Sequence, residues 1–299
     1  MLTSRILQTA LSLVLVAGLL SVAACSGDNN PVSGVTASAP PELPDVSTMA
    51  MDLSFFGLDG MNPSVAKNMD TDAMLAAAGT KANWINAVIR VLFVQLLFYD
   101  AFEEPVGAFA LAVHSIPQKQ PDDSWLWTYI FVEDTIEYNI FLFGKVVSDH
   151  VEWRMEVSSN NPDLMLDHFV WFDGESMLDD SSGYWQFYAP VSATTMSAAM
   201  RAAPQTEGVP SVRIHWENLG PRTHRLTVLV NQVGNADEGD RLEFYASPTV
   251  SWITHHDQDL QLDSEIRWYA DGSGSISVPD YNDGQTACWD ARQEDTVCP

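Results

Sequence analysis

Residues 80–104 read TKANWINAVIRVLFVQLLFYDAFEE, and between Trp84 and Tyr99 nearly every position is apolar. The exceptions, Asn83, Asn86, Arg90 and Gln95, recur at intervals of three to five residues. On a helix they stack as one narrow polar stripe, so the spacing predicts a helix over 80–104 that is buried on most of its circumference. Thr80, behind Gly79, has the side chain of an N-cap, and Pro105 followed by Gly107 predicts the stop. A membrane span is the rival reading. Arg90 and Gln95 interrupt the run, which falls short of the roughly 20 apolar residues that a bilayer needs.

Outward from this stretch the period changes to two. Val151, Trp153, Met155 and Val157 alternate with Glu152, Arg154 and Glu156, and Val212, Ile214 and Trp216 alternate with Arg213, His215 and Glu217. Strands of this kind have one wet face and one buried face. The same pattern returns in 242–246, 250–254 and 266–268, whereas 125–132 and 138–146 are apolar on both faces and belong in the middle of a sheet. Asp173-Gly174, Ser182-Gly183, Asn218-Leu219-Gly220-Pro221, Glu238-Gly239 and Asp271-Gly272 read as hairpin turns. Ser192 to Ala203, with Met196, Ala199, Met200 and Ala203 at helical spacing, reads as a helical insert ended by Pro204. The expected fold class is α+β, mostly β: a twisted antiparallel sheet, a half-open barrel, wrapped around the long helix. With 46% hydrophobic content the chain can build a real core, and residues 49–299 are expected to form one domain.

Charge narrows the partners. Forty acidic against fourteen basic residues leave a formal net charge of -26, which repels phosphate backbones and argues against a nucleic acid. The acidic residues are dispersed, which favours solubility as their role over the alternative, attraction of cations or basic partners.

At the N-terminus Arg5 precedes an apolar stretch, Ile6 to Ala24, that ends in the small residues Val22-Ala23-Ala24 before Cys25, which is the form of a secretory signal segment. It resembles a bacterial lipoprotein signal peptide, whose lipobox ends in the cysteine that becomes the lipidated first residue. The resemblance implies a thioether-linked diacylglycerol and an N-acyl chain on Cys25, a durable membrane anchor at roughly 0.8 kcal/mol per buried methylene. Ser26 is not the aspartate that retains enterobacterial lipoproteins at the inner membrane, so the implied location is the cell envelope, at the outer membrane. Residues 25–48, rich in Ser, Pro, Gly, Ala and Asn, read as a flexible tether spanning roughly 25 to 30 Å. Beyond it Met49 to Met74 is rich in methionine with Phe55 and Phe56; Asn62-Pro63 can open a short helix, and a second short helix is expected over Asp70 to Ala78.

With Cys25 assigned to lipid, Cys288 and Cys298 remain, close together at the C-terminus, and suit a disulfide in an oxidising compartment. A zinc or redox pair would need further cysteines or Cys-x-x-Cys spacing.

A buried helix inside a twisted antiparallel sheet, reached from a lipidated tether, is similar to the lipoprotein carrier folds of the LolA, LolB and LppX type. The phrase Phe172-Asp173-Gly174-Glu175 with Tyr184-Trp185 downstream resembles a strand-turn-strand phrase of those families. The resemblance implies a half-open barrel that holds acyl chains. Here Trp84, Ile85, Val88, Leu92 and Leu96 of the helix and Trp153 and Trp216 of the strands are the expected ligand-lining residues.

Catalytic signatures are sparse: there is no His-Glu-x-x-His, P-loop, dinucleotide fingerprint or nucleophile elbow. In an extended strand His255, Asp257 and Asp259 share a face and are weak candidate metal ligands. Asp280-Tyr281-Asn282-Asp283-Gly284 resembles part of a calcium loop without its closing glutamate. No catalytic residue, cofactor or firm metal site is expected, and the chain is read as a non-enzyme. Three functions follow: an envelope lipoprotein binding or carrying an acyl chain or other apolar ligand, a tethered structural or protein-interaction module, and, last, a metal-assisted hydrolase built on His255.

Overall fold

A computed structural model describes residues 39–57, 70–112, 114–133, 135–161, 165–191 and 204–299, with backbone alone for residues 93, 95–104 and 133. The signal segment, Cys25, the Asn62-Pro63 turn and the 192–203 insert lie outside the described residues, as does the side chain of Leu96.

The two-residue period seen in the sequence becomes fourteen strands in one sheet: β1 (Gln118–Lys119), β2 (Trp125–Glu133), β3 (Ile136–Val147), β4 (His150–Ser159), β5 (Leu166–Met177), β6 (Ser182–Ala189), β7 (Val209–Gly220), β8 (Thr223–Val230), β9 (Arg241–Ala246), β10 (Val250–Asp257), β11 (Leu262–Tyr269), β12 (Gly274–Ser277), β13 (Ala287–Trp289) and β14 (Asp295–Thr296). Their spatial order is their chain order, every neighbouring pair is antiparallel, and the sheet is not closed into a barrel. With 47% strand against 18% helix the protein is mostly β. Each edge ends in a strand of two residues; β1 covers only Trp125 and Leu126 of β2.

One face of the sheet is apolar because the alternating residues fall on it together. Trp127, Ile140, Met155, Phe172, Trp185, Ile214, Leu226, Phe244, Ile266 and Trp289 all belong to one buried cluster. Four tryptophans of this face stand directly opposite glycines in the register: Gly144 and Trp153, Gly174 and Trp185, Gly183 and Trp216, Gly274 and Trp289. A Cβ at any of these glycines would stand 2.7 Å or closer to the facing indole. The glycines therefore make room for rings, and two sequence expectations change: Gly174 lies inside β5 and Gly183 inside β6, and the chain turns between them at residues 178–181. The turns at 238–239 and 271–272 do join consecutive strands, whereas Asn218, Leu219 and Gly220 end β7 and of that phrase only Pro221 lies in the turn to β8.

Among the described residues two α-helices precede the sheet. In α1 (Thr71–Ala77) the Asp70 carboxylate accepts from the Ala73 N–H at 2.9 Å. A one-turn 3-10 helix, Gly79–Lys81, leads directly into α2 (Ala82–Ala112), so Thr80 is no N-cap. Nor does Pro105 end the helix, which continues to Ala112. Proline costs an interior helix its hydrogen bond to residue i−4, but here the following turns are held from outside. Phe109, fully buried, packs its ring 6.0 Å from Phe172 and 5.7 Å from Trp185, and the Ala108 carbonyl accepts the Tyr129 hydroxyl. Packing rather than propensity sets this boundary. Among the described residues no helix is long and apolar enough to cross a membrane.

The folded domain also reaches back before residue 49. Leu43 and Val46 pack on the core, and buried Thr48 accepts the indole N–H of Trp185 at 3.2 Å, so the end of the expected tether is part of the domain.

Candidate functional site

On the inner face, the expected ligand-lining residues with described side chains are brought together in the buried cluster. Trp84, Val88, Leu92, Trp153 and Trp216 are buried and belong to one contiguous cluster, with Ile85 half-buried against it. The segment before residue 58 supplies part of the filling. In the short turn Ser54–Phe56, Phe56 stacks on Trp84 at 5.1 Å and Phe55 stacks on Trp268 at 5.8 Å. Trp84 in turn meets the edge of Trp289 at 5.6 Å. The buried indole N–H groups of Trp125 and Trp216 find no hydrogen-bond partner among the described residues.

The polar stripe of α2 faces the C-terminal strands. Asn83 donates to the Cys288 carbonyl at 2.7 Å and accepts the Tyr281 hydroxyl at 2.6 Å. Arg90 reaches Asn86 at 2.9 Å and holds both oxygens of Asp280 at 2.8 and 2.9 Å. That fork occupies the first carboxylate of the calcium-like phrase, and Asn282–Gly284 is a tight 3-10 turn. Cys288 and Cys298 are joined by a disulfide with their Cα atoms 5.2 Å apart, closing the hairpin between β13 and β14.

His255, Asp257 and Asp259 are not gathered. The His255 ring pairs with Asp240 at 2.9 Å, while Asp257 accepts from the Leu260 N–H at 2.8 Å to shape the turn that contains Asp259. Among the described residues no three His, Cys, Asp or Glu side chains are placed to hold a metal ion.

The outer face carries a cluster that the one-dimensional reading did not assemble. The register puts Ser182, Glu217, Arg225, Tyr245 and Trp252 in one row across β6 to β10. The adjacent outward row contains Glu175, Tyr184, His215, Thr227 and Glu243. Between the rows Gly183 and Trp216 turn inward, so backbone forms a floor, and the result is a depression of about 500 Å³ lined by Tyr184, His215, Glu217, Arg225 and Thr227. Trp252 is part of this face. Trp252 alternates in phase with Val250, yet the inward position belongs to Ile253, and Trp252 stacks on Tyr245 at 5.4 Å.

The charges of the cluster are largely balanced. The Arg213 guanidinium lies 4.1 Å from the centre of the Tyr184 ring and its Nε donates to His215 Nε2 at 3.1 Å. Burial, then the Arg213 charge, holds the His215 imidazole below its ordinary range. The Tyr184 hydroxyl donates to Glu175 at 3.1 Å; burial and that bond raise its pKa. Four residues along β6, burial and a bond to Asp173 push Tyr188 up to about 12. Arg225 pairs with Glu217 at 3.3 Å. Its buried Nε has no hydrogen-bond partner among the described residues, the nearest Glu243 oxygen lying 3.6 Å away. The sequence signal for this site was the wet set Arg213, His215 and Glu217; which residues stand beside it is a matter of strand register.

Compared with known proteins, the chain matches no family model, no curated protein and no solved structure.

Proposed function

We propose that this protein is a lipid-tethered, non-catalytic binding module of the cell envelope, anchored at the outer membrane through Cys25, in which the sheet curls as a half-open barrel around α2 and recognition takes place on its outer face. The observation that carries this reading is the filling of the inner face: where an acyl chain would lie, Phe55 and Phe56 stack on Trp268 and Trp84. Where these rings close-pack, a ligand could enter only by displacing them. One open depression among the described residues lies outside, between β6 and β8.

A second reading, the acyl carrier, draws support from Trp125 and Trp216, whose buried N–H groups would be satisfied by the carbonyl oxygen of an apolar guest. One experiment separates the two. The folded soluble domain is titrated with a fluorescent fatty acid, and Val88→Asp is made beside Glu152→Lys. The module reading expects no uptake and outright unfolding by the buried aspartate. Saturable uptake, with a folded Val88→Asp that has lost it, would overturn that reading in favour of the carrier. The anchor is tested separately: a clickable fatty acid labels the wild type and not Cys25→Ser, and an unlabelled wild type would remove the lipoprotein reading.

A further inference from the structure

We infer that the outer depression between β6 and β8 is a binding site for a neutral saccharide, with Glu217 and Arg225 addressing adjacent hydroxyls and the Tyr245-Trp252 pair supplying an apolar shelf. The inference rests on the module reading above and adds the chemical class of the ligand.

Charge excludes the simplest alternatives. An anion approaches a chain of net charge -26 and meets arginines already engaged by carboxylates or by His215. A cation meets the Arg225 guanidinium, already paired with the one carboxylate of the lining, Glu217. What the site offers instead is a set of donors and acceptors side by side: the Glu217 carboxylate, the Arg225 guanidinium, and the hydroxyls of Ser182 and Thr227. Paired donors and acceptors at neighbouring positions are what vicinal hydroxyls require, since each is both donor and acceptor.

Arg225 Nε points to a missing acceptor. It is buried and unpartnered among the described residues, with the Glu243 oxygen at 3.6 Å beyond hydrogen-bond range. A buried donor on a guanidinium is costly to leave unmade, and a shift of this side chain, which is 40% exposed, brings it to a hydroxyl oxygen in the depression. The aromatic element is continuous with these groups, because Tyr245 stands directly opposite Arg225 and Trp252 directly opposite Tyr245. Strands about 4.8 Å apart place Glu217 and Trp252 roughly 15 Å from each other, room for more than one sugar ring. Half-buried aromatic rings carry both an apolar body for the C–H face of a pyranose and a wet edge.

The test titrates the folded soluble domain, followed by tryptophan fluorescence and calorimetry, with neutral oligosaccharides built on glucose, mannose and N-acetylglucosamine, with polygalacturonate, and with a fluorescent fatty acid. The expected result is saturable binding of at least one neutral series, weakened at least about tenfold by Trp252→Ala and by Glu217→Gln. Both side chains lie on the outer face of the sheet, Trp252 half-buried, so the melting of each variant verifies its fold, and Arg292→Ala serves as the distant control. Binding that neither variant alters, or preference for the anionic polymer, would overturn the inference. So would an absence of binding up to about 10 mM saccharide. If the fatty acid binds, the module reading fails with it; if nothing binds, the saccharide inference alone is lost.

Discussion

The Asp295 carboxylate caps the long helix from the far end of the chain, accepting the backbone N–H of Asn83 at 2.9 Å and that of Ala82 at 3.2 Å. Beside it Lys81 donates to Gln293 at 3.3 Å. The start of α2 and the β13–β14 hairpin are therefore one structural unit, although more than two hundred residues separate them. The helix begins where its first orphan N–H groups meet this carboxylate.

Removing the cap tests that relation. Asp295→Ala should cost about 1 kcal/mol and speed amide exchange at the first turn of α2, whereas Asp295→Asn, which still caps, should do neither appreciably. Equal exchange in the two variants would show that the helix start is held by packing alone.

The disulfide should act through the same unit. The folded domain from residue 39 onward should present no free thiol in denaturant until it is reduced. Reduction should loosen 82–86 and 287–296 before the middle of the sheet, because the closed loop is short and peripheral. Hydrogen exchange with and without reductant reads this directly; uniform loosening of β4 to β8 would contradict it.

Glycines paired with tryptophans should tolerate no side chain. Gly174→Ala drives a Cβ into Trp185 and the Tyr184 backbone and should cost about 1 to 3 kcal/mol in urea unfolding. Gly107→Ala, in the helix with nothing within 4 Å of the new Cβ, should instead gain up to about 1 kcal/mol. If both variants are neutral, the facing rings are not close-packed.

Stability should fall as the medium becomes acidic, beginning before the carboxylates titrate. Burial holds His224 and His215 below the ordinary 6.5. The unfolded chain therefore takes up protons first, and the contribution is complete above 6.5 and is lost as pH falls below it. Nearby Asp52 and Asp45 favour the charged form of His224 and soften the effect. Urea midpoints between about pH 7.5 and 5.5 should converge in the double variant His215→Gln with His224→Gln and spread further apart in Asp52→Asn.

What the sequence by itself determined is the class of the fold and its materials. Period-two runs such as 151–157 and 212–217 specify strands with one apolar face, since alternation is a property of the extended backbone and needs no neighbour to be read. The helix core from Trp84 to Leu92 and the short helix after Asp70 were legible for the same local reason. Tertiary structure decided whatever depends on which residue stands opposite which. Gly174 looks like a turn until Trp185 is placed across from it. Pro105 looks like a stop until Phe109 docks on Phe172, and Trp252 looks buried until Ile253 takes the inward position. The outer site has the same origin: Glu217, Arg225, Tyr245 and Trp252 are scattered along the chain and become neighbours through register, a long-range quantity set by the joint burial of the opposite face.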